Sequence, residues 1–193
     1  MSYDIYLREQ ANGDVIQFDT PHIMTGGIYA AIYDKERDTF YKKPITDAWL
    51  NITYNYSSYY YEATQNDKRF EIIDECGNRN NGGIRGIYGK TAVESIPMLN
   101  DMIFRIKGNY QINGEWITTQ RKVTRFYDDN GNEVDLYNAI CTHKVLRKIE
   151  MTEDIYEGIN ENYWTDTAGN AIRPLYQLLA FAKLRPDGIW DGD

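Results

Sequence analysis

From Ala171 to Leu184 the chain carries Ile172, Leu175, Tyr176, Leu178, Leu179, Ala180, Phe181, Ala182 and Leu184. At 3.6 residues per turn these side chains wrap a helix almost all round. A helix on the rim of a domain keeps one polar side, so this one belongs at the centre of a core. Pro174 makes its first turn irregular, Thr167 or Asn170 can supply an N-cap, and Pro186-Asp187-Gly188 ends it. A second helix opens on the capping box Thr91-Ala92-Val93-Glu94 and places Ile96, Leu99, Met102, Ile103 and Ile106 at helical spacing before Gly108. Pro97 moves the start of its regular part to about Ser95.

The N-terminal half follows a period of two instead. Tyr3 to Arg8, the Asn12-Gly13 turn and Val15 to Phe18 read as a hairpin, and Ile28 to Tyr33 as a short strand. Asp34–Pro44 reads as a polar loop. From Trp49 to Tyr56 the alternation is strict, with Leu50, Ile52, Tyr54 and Tyr56 on one face and Asn51, Thr53 and Asn55 on the other. Ser57-Ser58 can cap a short helix holding Tyr59 to Tyr61, and residues 74–83 read as a second loop. Hairpins are expected around Asn113-Gly114 and around Asp129 to Asn132, followed by a partly phased helix over 137–150. The expected fold class is α+β: an antiparallel sheet packed against two or more helices, with a β-hairpin insertion. The expectation is a single α+β domain over 1–193, with about 110–157 as the β-rich insertion.

The composition is that of an ordinary globular domain, 42% hydrophobic and 26% charged, but the net charge is −8. That balance works against direct nucleic-acid binding, which rests on Lys and Arg neutralising phosphates, and suits docking on a basic surface. Cys76 and Cys141 have no partners at metal spacing beyond His143, so they read as plain thiols in a reducing compartment. No cofactor and no metal are expected. The N-terminus has no signal-peptide pattern and no apolar run is long enough for a membrane span, which gives a cytoplasmic expectation. Gly83 to Thr91 ends in Gly-Lys-Thr but lacks the first glycine of a phosphate-binding loop.

The candidate ligand-binding residues are His22, Asn51, Thr53, Tyr54, Asn55, Tyr56, Tyr59 and Arg85. Asparagine is depleted in strands, so Asn51 and Asn55 beside Thr53 suggest side chains that read the polar edges of a ligand. Tyr54, Tyr56 and Tyr59 offer faces for stacking. His22, close to Gly26-Gly27, and Arg85 are candidates to meet a phosphate. No nucleophile motif or carboxylate pair accompanies His22, so no catalytic residue is assigned.

His22 with Gly26 to Ala30, Leu50 to Tyr56, Tyr163-Trp164 with Thr167 to Ala171, and Pro186 to Asp193 together resemble a group of small uncharacterised proteins of bacteriophages and bacterial mobile elements. The resemblance covers about half the chain, omits the stretch from Tyr110 to Glu157, and carries over no catalytic residue. It implies a counter-defence role in the host cytoplasm. Three expectations follow. The first is a non-catalytic binder that sequesters a small nucleotide-like ligand. The second is an acidic inhibitor that grips a basic host protein, and the third is a hydrolase using His22 as base. A homodimer is also expected, because a tyrosine-rich surface has aromatic area to spare.

Overall fold

The computed structural model describes residues 1–27, 31–36, 38–112, 118–134 and 146–193. It divides into two compact units, Met1–Glu115 with Gly158–Asp193, and Trp116–Glu157. In the first unit the strands are β1 (Ser2–Arg8), β2 (Gln17–His22), β3 (Ala31–Asp34), β4 (Thr39–Lys42), β5 (Ile45–Asp47), β6 (Trp49–Thr53), β7 (Glu71–Ile73) and β8 (Arg79–Asn81). The second unit holds β9 (Thr118–Tyr127) and β10 (Arg147–Tyr156), and β11 (Ile189–Gly192) closes the first. Helices α1 (Ser57–Ala63), α2 (Ala92–Tyr110) and α3 (Ala168–Leu184) also belong to the first unit. All described strand pairs are antiparallel, and the fold class is α+β.

The centre of the first unit is a three-stranded sheet in the order β11-β1-β6. Alternation in β1 turns Tyr3, Ile5 and Leu7 inward, where they meet Leu50 and Ile52 of β6 and Trp190 of β11 in one core. The helices α2 and α3 pack on each other and add Leu99, Met102, Leu175, Leu178 and Ala182 to the same core. Trp190 is 1% exposed, and its indole N–H donates to Ser95 Oγ at 2.7 Å, which fastens β11 to the first turn of α2.

Several expectations change at the element level. The capping box of Thr91 and Glu94 forms, but α2 begins at Ala92, with Pro97 inside it. Pro97 lies on the exposed side, so the Val93 carbonyl it leaves without an i+4 donor belongs to an exposed residue. The same helix passes Gly108 and ends at Tyr110, with Gln111 in the left-handed region at φ 49°, so Tyr110 is not the start of a strand. Asp34–Pro44 is not a plain loop, because Thr39–Lys42 folds back on β3 as β4. Within residues 74–83, Arg79–Asn81 pairs with β7 as β8. Residues 147–150 are strand rather than helix. Ile149, Met151 and Ile155 alternate with polar neighbours, and β10 pairs with β9 over ten residues. The turn expected around 129–132 forms, with Tyr127 bridging Glu133 antiparallel and Val134 N donating to the Phe126 carbonyl at 2.9 Å, while β9 makes its long ladder with β10. Ile28–Ala30, the Asn113-Gly114 hairpin, the helix expected over 137–145, and Cys141 with His143 lie outside the described residues.

Two glycines set close backbone approaches. A Cβ on Gly169 would stand 2.4 Å from the Gly158 carbonyl carbon, so the chain at 158–159 lies directly on the first turn of α3. A Cβ on Gly27 would stand 1.7 Å from the Asn51 carbonyl oxygen. The segment from Met24 to Gly27 thus covers the edge of β6, with Thr53 N donating to the Gly26 carbonyl at 2.9 Å.

Candidate functional site

The polar face expected from Asn51 to Tyr56 does not form as one surface. Asn51 pairs with Asp4 in the sheet, and its amide donates to Asp4 Oδ1 at 2.9 Å and Ser2 Oγ at 2.6 Å. Thr53 is buried, and its hydroxyl accepts from Asn55 N at 3.3 Å. That cap ends the strand and starts a 3-10 turn over Tyr54–Tyr56, so the alternation stops having a structural meaning there. Tyr56 and Tyr59 are fully buried. Their hydroxyls donate to the carbonyls of Tyr163 and Asp166, the latter at 2.7 Å, so neither ring is open to stack on a ligand. Asn55 is exposed, and its amide donates to the Trp164 carbonyl at 2.7 Å. Asn55, Tyr56 and Tyr59 thus hold the 160–167 loop.

Arg85 and Tyr54 do come together, with Nη2 donating to the Tyr54 hydroxyl at 2.8 Å. The guanidinium sits 4.8 Å from the Tyr3 ring centroid and 5.4 Å from that of Tyr54, and its Nε donates to the Asp193 main-chain oxygen at 2.8 Å. This cation already has two rings and two acceptors, and it clamps the end of β11. Burial pushes the neighbouring Tyr88 phenol well above its ordinary pKa, against the pull of the Arg85 charge.

His22 is likewise committed. Gln177 fixes its own amide by accepting from Thr25 N and Oγ1 at 2.9 and 2.8 Å and donating to the Ile23 carbonyl at 3.1 Å. The amide nitrogen therefore faces His22 Nδ1, at 2.8 Å, as a donor. Nδ1 must accept, so the proton is on Nε2, which donates to the Asp47 carbonyl at 2.8 Å. With both nitrogens engaged, His22 presents no free lone pair for general-base work and no free N–H for a phosphate. Its ring stands edge-on to Phe181 at 4.8 Å and forms part of the wall of a cavity of about 590 Å³ between β2 and α3.

A site with free chemistry lies elsewhere in the first unit, and periodicity did not flag it. Lys42 ends β4, and its Nζ donates to the Met24 carbonyl at 3.1 Å and sits 4.9 Å from the Tyr163 ring centroid. Arg173, exposed on α3, is within electrostatic reach of both Lys42 and Tyr56. Burial and then the Arg173 charge pull the Lys42 ammonium below its ordinary pKa. Burial pushes Tyr56 up to about 12, opposed by Arg173. Among the described residues neither cation makes an ion pair. Next to Tyr163, Trp164 is 50% exposed, its ring 5.3 Å from that of Tyr163. The only sequence signal was the Tyr163-Trp164 pair; nothing in the spacing of Lys42 and Arg173 announces that the fold brings them within electrostatic reach.

The N-terminus of α3 is closed to an anion. Thr167 caps it by accepting from Asn170 N at 3.1 Å, and buried Asn170 binds Asn160 N, the Asn162 carbonyl and the Thr165 carbonyl at 3.0 to 3.1 Å. Cys76 is exposed in the β7–β8 turn, and no three His, Cys, Asp or Glu among the described residues converge as metal ligands. No helix among the described residues is long and apolar enough to cross a membrane. No protein-family model, no curated protein and no solved structure matches this chain.

Proposed function

We propose that the chain is a non-catalytic binding protein for a small, planar, anionic ligand of nucleotide type, held at Lys42 and Arg173. The observation that carries this reading is that Lys42, over the Tyr163 ring, and Arg173 are two cations within electrostatic reach of each other that make no ion pair among the described residues, in a chain of net charge −8. Like charges repel, and a bound anion relieves that repulsion while gaining charge-assisted hydrogen bonds. The half-exposed Trp164 indole beside Tyr163 supplies a face for a base to stack on. The site thus replaces the one expected at Tyr54, Tyr56 and Tyr59 while keeping the same ligand chemistry. In the phage setting implied by the sequence resemblance, such a protein would sequester a nucleotide signal of the host.

The test is a titration of the full chain with mono-, di- and cyclic dinucleotides, followed by Trp fluorescence and by native mass spectrometry. The expected result is saturable quenching and a retained ligand mass, with affinity falling about tenfold in Lys42→Ala and in Arg173→Ala. Binding that survives both substitutions, or no binding to folded protein at millimolar nucleotide, sinks the reading.

A further inference from the structure

The apolar surface of α3 exceeds what the core uses. Leu175, Leu178, Leu179, Phe181 and Ala182 are buried, but Tyr176 remains 46% and Leu184 66% exposed, with Ala180 exposed between them. A helix expected to be covered all round therefore keeps an uncovered apolar stripe. That stripe borders the cavity of about 590 Å³, whose helical wall is Gln177, Ala180, Phe181, Leu184 and Arg185, one face at helical spacing.

The opposite wall is β2, and Gln17, Phe18, Asp19, Thr20 and His22 all line it. Residues from both faces of a strand line one groove only when the strand presents its edge. Among the described residues β2 pairs with β5 alone, at Gln17↔Asp47 and His22↔Ile45 with an irregularity between them, and it carries Pro21, an edge-strand residue. From Gln177 to Arg185 the helical wall runs about 12 Å, the length of three to four extended residues.

The rim decides the charge of the occupant. Asp19 makes no ion pair among the described residues, whereas Arg185 is already neutralised by Glu9 at 3.0 Å and Asp187 at 2.7 Å. We propose that the groove between β2 and α3 receives an extended segment of a basic partner protein. The segment adds to the free edge of β2, buries an apolar side chain against Phe18, Phe181 and Leu184, and sets a Lys or Arg against Asp19. This surface is separate from Lys42 and Arg173 in the residues it uses, so either reading can fail without the other.

The experiment is selection of a displayed random twelve-residue peptide library on the full chain, with Ala180→Arg as counter-selection. Enriched peptides are then measured as fluorescein conjugates by anisotropy. Expected are sequences with a Lys or Arg next to alternating apolar residues. Their affinity should weaken about tenfold or more in Ala180→Arg and in Asp19→Lys, and should be unchanged in Lys42→Ala. Asp19 is exposed on β2, so its variant keeps the test valid if Ala180→Arg fails to fold. Peptides that bind both variants as tightly as the parent, or no enrichment over counter-selection, overturn the proposal. Self-association of the parent, abolished by Ala180→Arg, also overturns it and makes a second copy the occupant.

Discussion

Asp67 is a carboxylate of the first unit on which two arginines, Arg69 and Arg105, converge. Its Oδ2 accepts from Arg69 Nη2 at 2.6 Å and Arg105 Nη2 at 2.9 Å, and Oδ1 accepts from Arg69 Nε at 3.0 Å. Arg105 also donates to the Ala63 carbonyl at 2.8 Å, so the cluster joins the end of α1 to α2. Hydrogen bonds from Arg69 hold the Asp67 carboxyl well below the usual carboxylate range, against the opposing effect of burial. Its folded pKa is thus depressed relative to the unfolded chain. The stability it contributes is present above the unfolded value, about 4, and is lost as pH falls from there toward the folded one. Asp67→Asn should cost about 2 kcal/mol at pH 7 and progressively less below about pH 4, where the carboxyl of the unfolded parent gains a proton while the folded one stays ionised. Urea midpoints of parent and variant at pH 7, 5 and 3 measure this. A gap that stays constant down to pH 3 would mean that packing, not charge, holds the cluster.

At the scale of elements, the two helix prolines look alike in sequence and differ in structure. Pro97 is exposed in α2, so its ring contributes no packing there while its missing N–H still removes a helical bond. Pro174 is buried in α3, and a Cβ on Gly26 would stand 3.0 Å from its Cγ, which shows how closely that turn approaches. Pro97→Ala should therefore stabilise by about 1 kcal/mol, and Pro174→Ala should destabilise by a similar amount through lost packing. Thermal melts of the two variants should move in opposite directions. Burial of this kind is invisible in sequence, but other elements were legible. The capping box of α2 and the alternation of β1 are local, so their residues suffice to specify them. The turn at 74–78 was also legible in principle. Asp74-Glu75-Cys76-Gly77-Asn78 and Asp128-Asp129-Asn130-Gly131-Asn132 share Asp-x-x-Gly-Asn. In both, the Asp carboxylate accepts two main-chain N–H groups and the glycine sits at φ 82°. Reading Asp74 to Gly83 as loop missed that this turn joins two strands. The candidate site was less legible, because Thr53, a good strand residue, instead caps the turn that buries Tyr56 and Tyr59. Lys42 and Arg173 come within electrostatic reach of each other only through the tertiary fold.

At the scale of the whole molecule, the chain divides into two compact units. Among the described residues, every buried member of the hydrophobic core lies within Met1–Glu115 or Gly158–Asp193, and none comes from Trp116–Glu157. The second unit instead depends on its own ladder and on cross-strand ion pairs such as Arg125 with Glu153 at 2.5 Å. Cooperative stability follows buried apolar surface, so the first unit has what it needs without the hairpin. Replacing 116–157 by a flexible Gly/Ser linker of about eight residues should leave a chain that unfolds in one transition. Its melting temperature should fall within about 5 °C of the parent's. Lys42, Arg173, β2 and α3 all belong to the unit that remains, so nucleotide affinity and peptide affinity should both be retained. Loss of one affinity with folding intact would assign the hairpin to that ligand. Loss of folding would show that the first core, although complete in its buried residues, needs the second unit to hold its ends.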